Sequence, residues 1–173
     1  MTHVNIEIKA KCPDQETIRG ILKSLNAKFV GLDHQIDTYF NANKGRLKLR
    51  EGDIENSLIY YERENKSGPR ESNVVLFKTQ AGSPLKEILT RSMGIKTVID
   101  KKREIYFVGN VKFHLDNVAS LGSFVEIEAI DDDGGTSRGK LLEQCQHYLD
   151  LFKINKADLI SKSYSDLLLD KAP

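Results

Sequence analysis

Two spacings alternate along this chain. Where apolar residues recur every three or four positions, helices are predicted. Residues 13–25 place Ile18, Ile21, Leu22 and Leu25 on one face, with Asp14 as the N-terminal cap. Residues 84–93 space Leu85, Ile88, Leu89 and Met93 in the same way, and Gly94 is the stop. Residues 136–152 carry Leu141, Leu142, Cys145, Tyr148, Leu149 and Phe152 on one stripe, and a short helix is predicted over 164–169. Between these segments the period falls to two, the spacing of side chains on one face of a strand. Strands are predicted over 4–10, 37–40, 46–50, 58–64, 74–78, 98–108, 111–117 and 124–130. The turns between them fall at Asn43-Lys44-Gly45, Gly109-Asn110 and Asp133-Gly134-Gly135, and Gly109-Asn110 suits a tight hairpin.

The polar phase of these strands is unusual, because it carries long charged side chains of both signs. Lys48 and Arg50 are two apart, as are Lys101 and Arg103, and the acids Glu126 and Glu128 repeat the spacing. Asp37 shares a face with Tyr39, Tyr61 with Arg63, and Lys112 with His114 and Asp116. An open antiparallel sheet with one wet face is the simpler architecture for alternating strands. A sheet that closes on itself instead turns all these charges into one interior, with the apolar phase outward beneath the helices. The expected fold is therefore α+β: an eight-stranded antiparallel barrel, closed or nearly closed, with helices packed outside, as a single domain over residues 1–173.

Composition narrows the function classes. With 39% hydrophobic and 29% charged residues, the 173-residue chain has the make-up of a globular domain with a real core. Its 26 basic and 25 acidic residues leave a net charge of +1, which gives no general attraction to nucleic acid or to anionic membrane. No run approaches the roughly 20 apolar residues of a membrane span. Glu7 lies where a signal peptide needs an apolar stretch, so a cytoplasmic protein is expected. Cys12 and Cys145 are far apart without metal-site spacing and read as reduced thiols, Cys145 within a helix core.

A cavity lined by Lys9, Lys48, Arg50, Arg63, Lys101, Arg103 and Lys112 would repel itself when empty, and so calls for a polyanion. Glu7, Asp116, Glu126 and Glu128 cannot bind phosphate directly, but as hard oxygen donors they can hold Mg²⁺ or Mn²⁺ against it. Any one of these residues could equally be a solvated strand side chain, His114 a neutral hydrogen-bonded one, and Tyr39 and Tyr61 simple packing residues. Repetition over many strands is what favours a site.

Several segments carry a family resemblance. Asn5-Ile6-Glu7-Ile8-Lys9 resembles an E-x-E-x-K strand in which Asn5 replaces the first acid. Gln35-Ile36-Asp37-Thr38-Tyr39-Phe40 and Leu47-Lys48-Leu49-Arg50-Glu51 resemble the strands that follow it. Residues 99–109, His114-Leu115-Asp116, residues 121–128 and the closing Lys162-Ser163-Tyr164-Ser165-Asp166-Leu167-Leu168 complete the set. In this order they are similar to the CYTH, or triphosphate tunnel, superfamily, and closest to its class IV adenylyl cyclases.

The resemblance implies a metal-dependent reaction on a triphosphate inside an eight-stranded tunnel. By position, Glu7, Asp116, Glu126 and Glu128 become ligand candidates for Mg²⁺ or Mn²⁺, and Lys9, Lys48, Arg50, Arg63, Lys101 and Arg103 phosphate binders. Asn5, Asp37, Tyr39, Lys112 and His114 stay without an assigned role. The first reading is an adenylate cyclase converting ATP to cyclic AMP and pyrophosphate. The alternatives are a tripolyphosphatase, thiamine triphosphatase or nucleoside triphosphatase, and a module that binds polyphosphate without turnover. The expected partner is thus a small triphosphate, not nucleic acid or membrane, and class IV cyclases suggest a homodimer by analogy.

Overall fold

A computed structural model of the chain describes residues 2–172. Eight strands close into an antiparallel barrel: β1 (Thr2–Lys11), β2 (Lys28–Phe40), β3 (Arg46–Gly52), β4 (Asn56–Arg63), β5 (Arg70–Lys78), β6 (Ile95–Val108), β7 (Val111–Val118) and β8 (Gly122–Asp131). Around the barrel the order is β1-β5-β4-β3-β2-β6-β7-β8, and β8 pairs back with β1. The hairpins β2–β3, β3–β4, β4–β5, β6–β7 and β7–β8 are local. The long partners β2 and β6 join the two runs of hairpins across the intervening sequence, and β1, paired with both β5 and β8, closes the cylinder.

Helices α1 (Gln15–Ser24) and α3 (Arg138–Leu151) cover the outside of β1, β7 and β8. There Ile6, Ile8, Phe113, Leu115, Val125 and Ile127 meet Ile18 and Leu22 of α1 and Leu141, Cys145 and Leu149 of α3. Each fully buried side chain of this kind contributes about 1.5–3 kcal/mol. As expected, Asp14 caps α1 by accepting from the Thr17 N–H, and Gly94 ends α2 (Leu85–Met93). Cys145 is a buried free thiol that donates to the Ile6 carbonyl.

Three features depart from the sequence reading. β2 and β5 begin nine and four residues earlier than predicted, because pairing with β6 and β1 continues where alternation fails; β2 carries a register shift between Phe29 and Gly31. The apolar phase is covered on one side of the barrel only. On the other, Leu32, Val75, Phe77 and Val98 stay exposed, and α2 buries no residue. The interior is also not wholly polar. Tyr39, Ile59, Tyr61, Val74, Ile99, Val118 and Phe124 form a second apolar cluster inside one end, joined by Ile160 and Tyr164. Tyr164 opens helix α4 (Tyr164–Lys171), whose Ser163–Asp166 capping box fixes its start; the Arg46–Asp166 ion pair at 2.8 Å ties it to β3. The chain's C-terminal segment thus closes one end of the barrel. No helix among the described residues is long and apolar enough to cross a membrane.

Candidate active site

The barrel interior holds a cavity of about 650 Å³. Strand alternation delivers Glu7, Lys9, Tyr39, Lys48, Arg50, Arg63, Lys101, Arg103, Lys112, His114, Glu126 and Glu128 to its wall. The shared inward phase expected from the sequence is thus realised. Asn5, Asp37 and Asp116 stand behind that wall, no more than 1% exposed.

Asp37 and Asp116 bracket the basic side. Asp37 accepts from Arg50 Nε and Nη2, both at 2.9 Å, and from Lys101 Nζ at 2.6 Å, with Lys48 Nζ at 3.2 Å. Asp116 takes Arg103 Nε and Nη2, each at 2.7 Å, and the Tyr164 hydroxyl at 2.7 Å. Burial opposes ionisation of both acids, but these cations outweigh it and hold both carboxyls below the usual range. Burial likewise depresses Lys101 well below an ordinary lysine, with Asp37 opposing. Asp116, expected among the metal ligands, accepts hydrogen bonds from Arg103 and Tyr164 in this structure.

The acidic side lies on β1 and β8, where Glu7 faces Glu128 and Lys9 faces Glu126 in register. Glu126 is 3.3 Å from both Lys9 Nζ and His114 Nδ1 and 3.6 Å from Arg103. Glu7 receives Arg63, and Arg70 Nε lies 3.6 Å from it. Glu128 is pushed up to about 7, first by burial and then by the nearby Glu7 and Glu126 charges, although Lys112 opposes. Burial lowers His114 to about 4, helped by Arg103, so its ring is neutral near pH 7. Burial takes Lys9 down to about 8, and its ammonium sits 3.8 Å over the Tyr164 ring.

These pairings correct the expectation of self-repulsion in the empty cavity. Eight cations line the cavity (Lys9, Lys48, Arg50, Arg63, Lys78, Lys101, Arg103 and Lys112) with five acids (Glu7, Glu55, Glu126, Glu128 and Asp132), and Arg70, Asp33, Asp37 and Asp116 stand behind them, nine cations to eight acids in all. An excess of positive charge remains inside a low-dielectric wall, which is where it attracts an anion most strongly.

Sequence reasoning missed Glu55, Arg70, Lys78 and Tyr164. Glu55 stands in the β3–β4 turn and Tyr164 on a helix, where strand alternation says nothing. Arg70 and Lys78 open and close β5, and only the first lies outside the predicted span. Arg70 is 1% exposed, donates to the Ser161 carbonyl, and leaves Nε and Nη2 without hydrogen-bond partners.

The donor chemistry suits a divalent metal. Asn5 donates its amide N–H to Glu128, while its buried Oδ1 has no hydrogen-bond partner. Among the described residues no three His, Cys, Asp or Glu side chains converge into an all-protein cage. Mg²⁺ commonly takes one or two carboxylates and completes its shell with water and substrate phosphate. Glu126 and Glu128, with Glu7 opposite, fit that demand.

The family model for the CYTH domain matches residues 3–164. A Methanocaldococcus jannaschii protein named as a candidate adenylate cyclase is 29% identical, over 95% of this chain and 98% of its own. A Pyrococcus horikoshii protein of solved structure superposes with a TM-score of 0.78 at 25% identity, over 94% of this chain and 98% of that one. A Hippeastrum protein shares the fold at 12% identity, with a TM-score of 0.60 over 98% of this chain and 95% of its own. It is described as a candidate adenylyl cyclase with a dominant triphosphatase activity.

Proposed function

The chain belongs to the CYTH domain family, and from that premise we propose that it is a divalent-metal-dependent enzyme acting on a triphosphate, in first place an adenylate cyclase. The observation that carries the reading is the division of one barrel cavity. Arg50, Lys48, Lys101 and Arg103 stand on β3 and β6, and Glu7, Glu126 and Glu128 on β1 and β8.

In the cyclase reaction the ribose 3′-oxygen attacks the α-phosphorus, its proton leaves, the bond to the α–β bridging oxygen breaks and pyrophosphate departs. Lys48, Arg50, Lys101 and Arg103 would hold the β- and γ-phosphates and take up the charge that develops on the leaving group. Asp37 and Asp116 keep these side chains extended toward the cavity, so little reorganisation is needed when the anion arrives. Glu126 and Glu128, supported by Glu7, would hold Mg²⁺ or Mn²⁺, which when bound lowers the energy of the attacking oxygen and neutralises phosphate charge. Lys9 and Arg63 complete the cationic lining near the acids.

The second reading is a triphosphatase, in which water attacks the terminal phosphorus of tripolyphosphate, thiamine triphosphate or a nucleotide. The same groups serve it with the substrate reversed, and the Hippeastrum protein of the same fold is described as having a dominant triphosphatase activity. A binding module without turnover is the third, favoured by the neutral Asn5 beside Glu128. Product analysis separates them. ATP with Mg²⁺ or Mn²⁺ is expected to give cyclic AMP and pyrophosphate; ADP and phosphate would establish the hydrolase instead. Binding without product under either metal, for tripolyphosphate and thiamine triphosphate as well as ATP, would overturn the enzymatic reading.

A further inference from the structure

The turn between β3 and β4 carries a carboxylate that no strand pattern supplies. Glu55 reaches over the mouth of the cavity and pairs with Lys112 and, at 3.1 Å, with Arg50 Nη1; Gln35 Nε2 donates to it at 3.2 Å. Arg50 gives its Nε and Nη2 to Asp37. Glu55 therefore occupies the guanidinium edge that Asp37 leaves open toward the cavity.

The turn itself is held firmly. Asp33, fully buried, accepts from the N–H groups of Ile54 at 2.8 Å and Glu55 at 2.9 Å. Asn56 clasps Gly52 from both sides, accepting from its N–H at 3.2 Å and donating to its carbonyl at 2.8 Å. A Cβ on Gly52 would lie 2.7 Å from Asp33 Oδ1 and from the Glu55 carbonyl, so only glycine allows this close approach. The backbone at Glu55 is thus fixed, while its side chain, 25% exposed, is held only by its own contacts with Lys112, Arg50 and Gln35.

We propose that Glu55 is a built-in competitor for the outermost phosphate position. Its carboxylate fills the place a terminal phosphoryl group would take between Arg50 and Lys112, and a bound triphosphate displaces it. The inference rests on the reading of the cavity as a triphosphate site. The consequence is selectivity. An anion must bring enough charge to outcompete a tethered carboxylate, whose ordering is already supplied by the Asp33 anchor.

The test measures metal-free tripolyphosphate binding by calorimetry, together with the melting temperature of the unliganded protein. Glu55→Gln and Glu55→Ala are compared with wild type and with Asp53→Asn, which removes one charge from the same exposed turn. Both Glu55 variants are expected to bind tripolyphosphate at least about tenfold more tightly while melting at a lower temperature when unliganded, since Lys112 and Arg50 lose a counter-charge. Asp53→Asn is expected to change affinity less than about twofold. A residue that merely supports the fold would lower the melting temperature without tightening binding. Wild-type binding that Glu55→Gln and Glu55→Ala leave equal or weaken overturns the proposal and leaves the triphosphate reading standing. If folded wild type and variants all fail to bind millimolar tripolyphosphate, without metal and also with Mg²⁺ or Mn²⁺ added, both are overturned together.

Discussion

Arg103 and Asp116 lie directly opposite each other on β6 and β7 and join through two parallel hydrogen bonds, Nε to Oδ1 and Nη2 to Oδ2, each 2.7 Å. Both are at most 3% exposed, so this is a buried ion pair. Truncating one side of such a pair costs about 3–5 kcal/mol, because the other charge remains buried. Asp116→Asn is accordingly expected to lower the unfolding free energy by that amount in urea titrations, and to weaken tripolyphosphate binding through a misplaced Arg103. Tyr164→Phe, which removes only the hydroxyl donor to Asp116, is expected to cost about 1 kcal/mol. Equal losses for the two variants would show that the bracket does not depend on the Arg103 charge.

Glu126→Gln tests the acidic side. The change keeps the shape but removes the charge a hard cation needs. Lys9, already down to about 8, can lose its proton when Glu126 no longer supports its charge, so the fold is expected to persist. Turnover of ATP and tripolyphosphate is expected to fall by roughly 10²-fold or more across a Mg²⁺ and Mn²⁺ titration, the scale of losing one electrostatic group at a reacting centre. A variant matching wild type at every metal concentration would remove Glu126 from the metal site.

Excess positive charge in the barrel predicts stabilisation by polyanions. At about 100 times its dissociation constant, tripolyphosphate should add roughly 2.7 kcal/mol to stability, and more when Mg²⁺ or Mn²⁺ is added. Differential scanning fluorimetry reads this as a rise in melting temperature. An unchanged melting temperature at millimolar tripolyphosphate, with and without metal, would argue against the site.

His114 and Glu128 predict opposing pH dependences. His114 is lowered from its unfolded value to about 4 by burial. Between about 4 and 6.5 the unfolded chain binds the extra proton, and stability from this group is lost as pH falls through that window. Glu128 is raised to about 7, again by burial. Between about 4.5 and 7 the folded state holds the extra proton, and stability from this group is lost as pH rises. In urea titrations from pH 4.5 to 6.5, Glu128→Gln is expected to gain stability with rising pH relative to wild type, and His114→Gln to lose it. Parallel curves for wild type and either variant would mean that the altered group titrates alike in the folded and unfolded chains.

Much of this architecture was readable along the chain. Alternation placed Lys48 with Arg50, Lys101 with Arg103 and Glu126 with Glu128 on inward faces, and the helical spacing of Ile18, Leu22, Leu141 and Leu149 marked the outer cover. Strand phase is a local property, because successive side chains must point to opposite faces.

What the tertiary structure decided is which charges meet. Arg103 finds Asp116, Arg50 finds Asp37, and Glu7 finds Arg63 only through registers set when the sheet closes. The β3–β4 turn brings Glu55 over the mouth, and α4 brings Tyr164 into the opposite end, by contacts spanning large sequence separations. The sequence alone therefore determined which charged strand residues share the inward phase, while the apolar cluster around Tyr39 and Tyr61 and the contributions of Glu55 and Tyr164 came from the tertiary structure. Closure determined its pairing, because cross-strand register is set by barrel geometry rather than by any single strand's alternation.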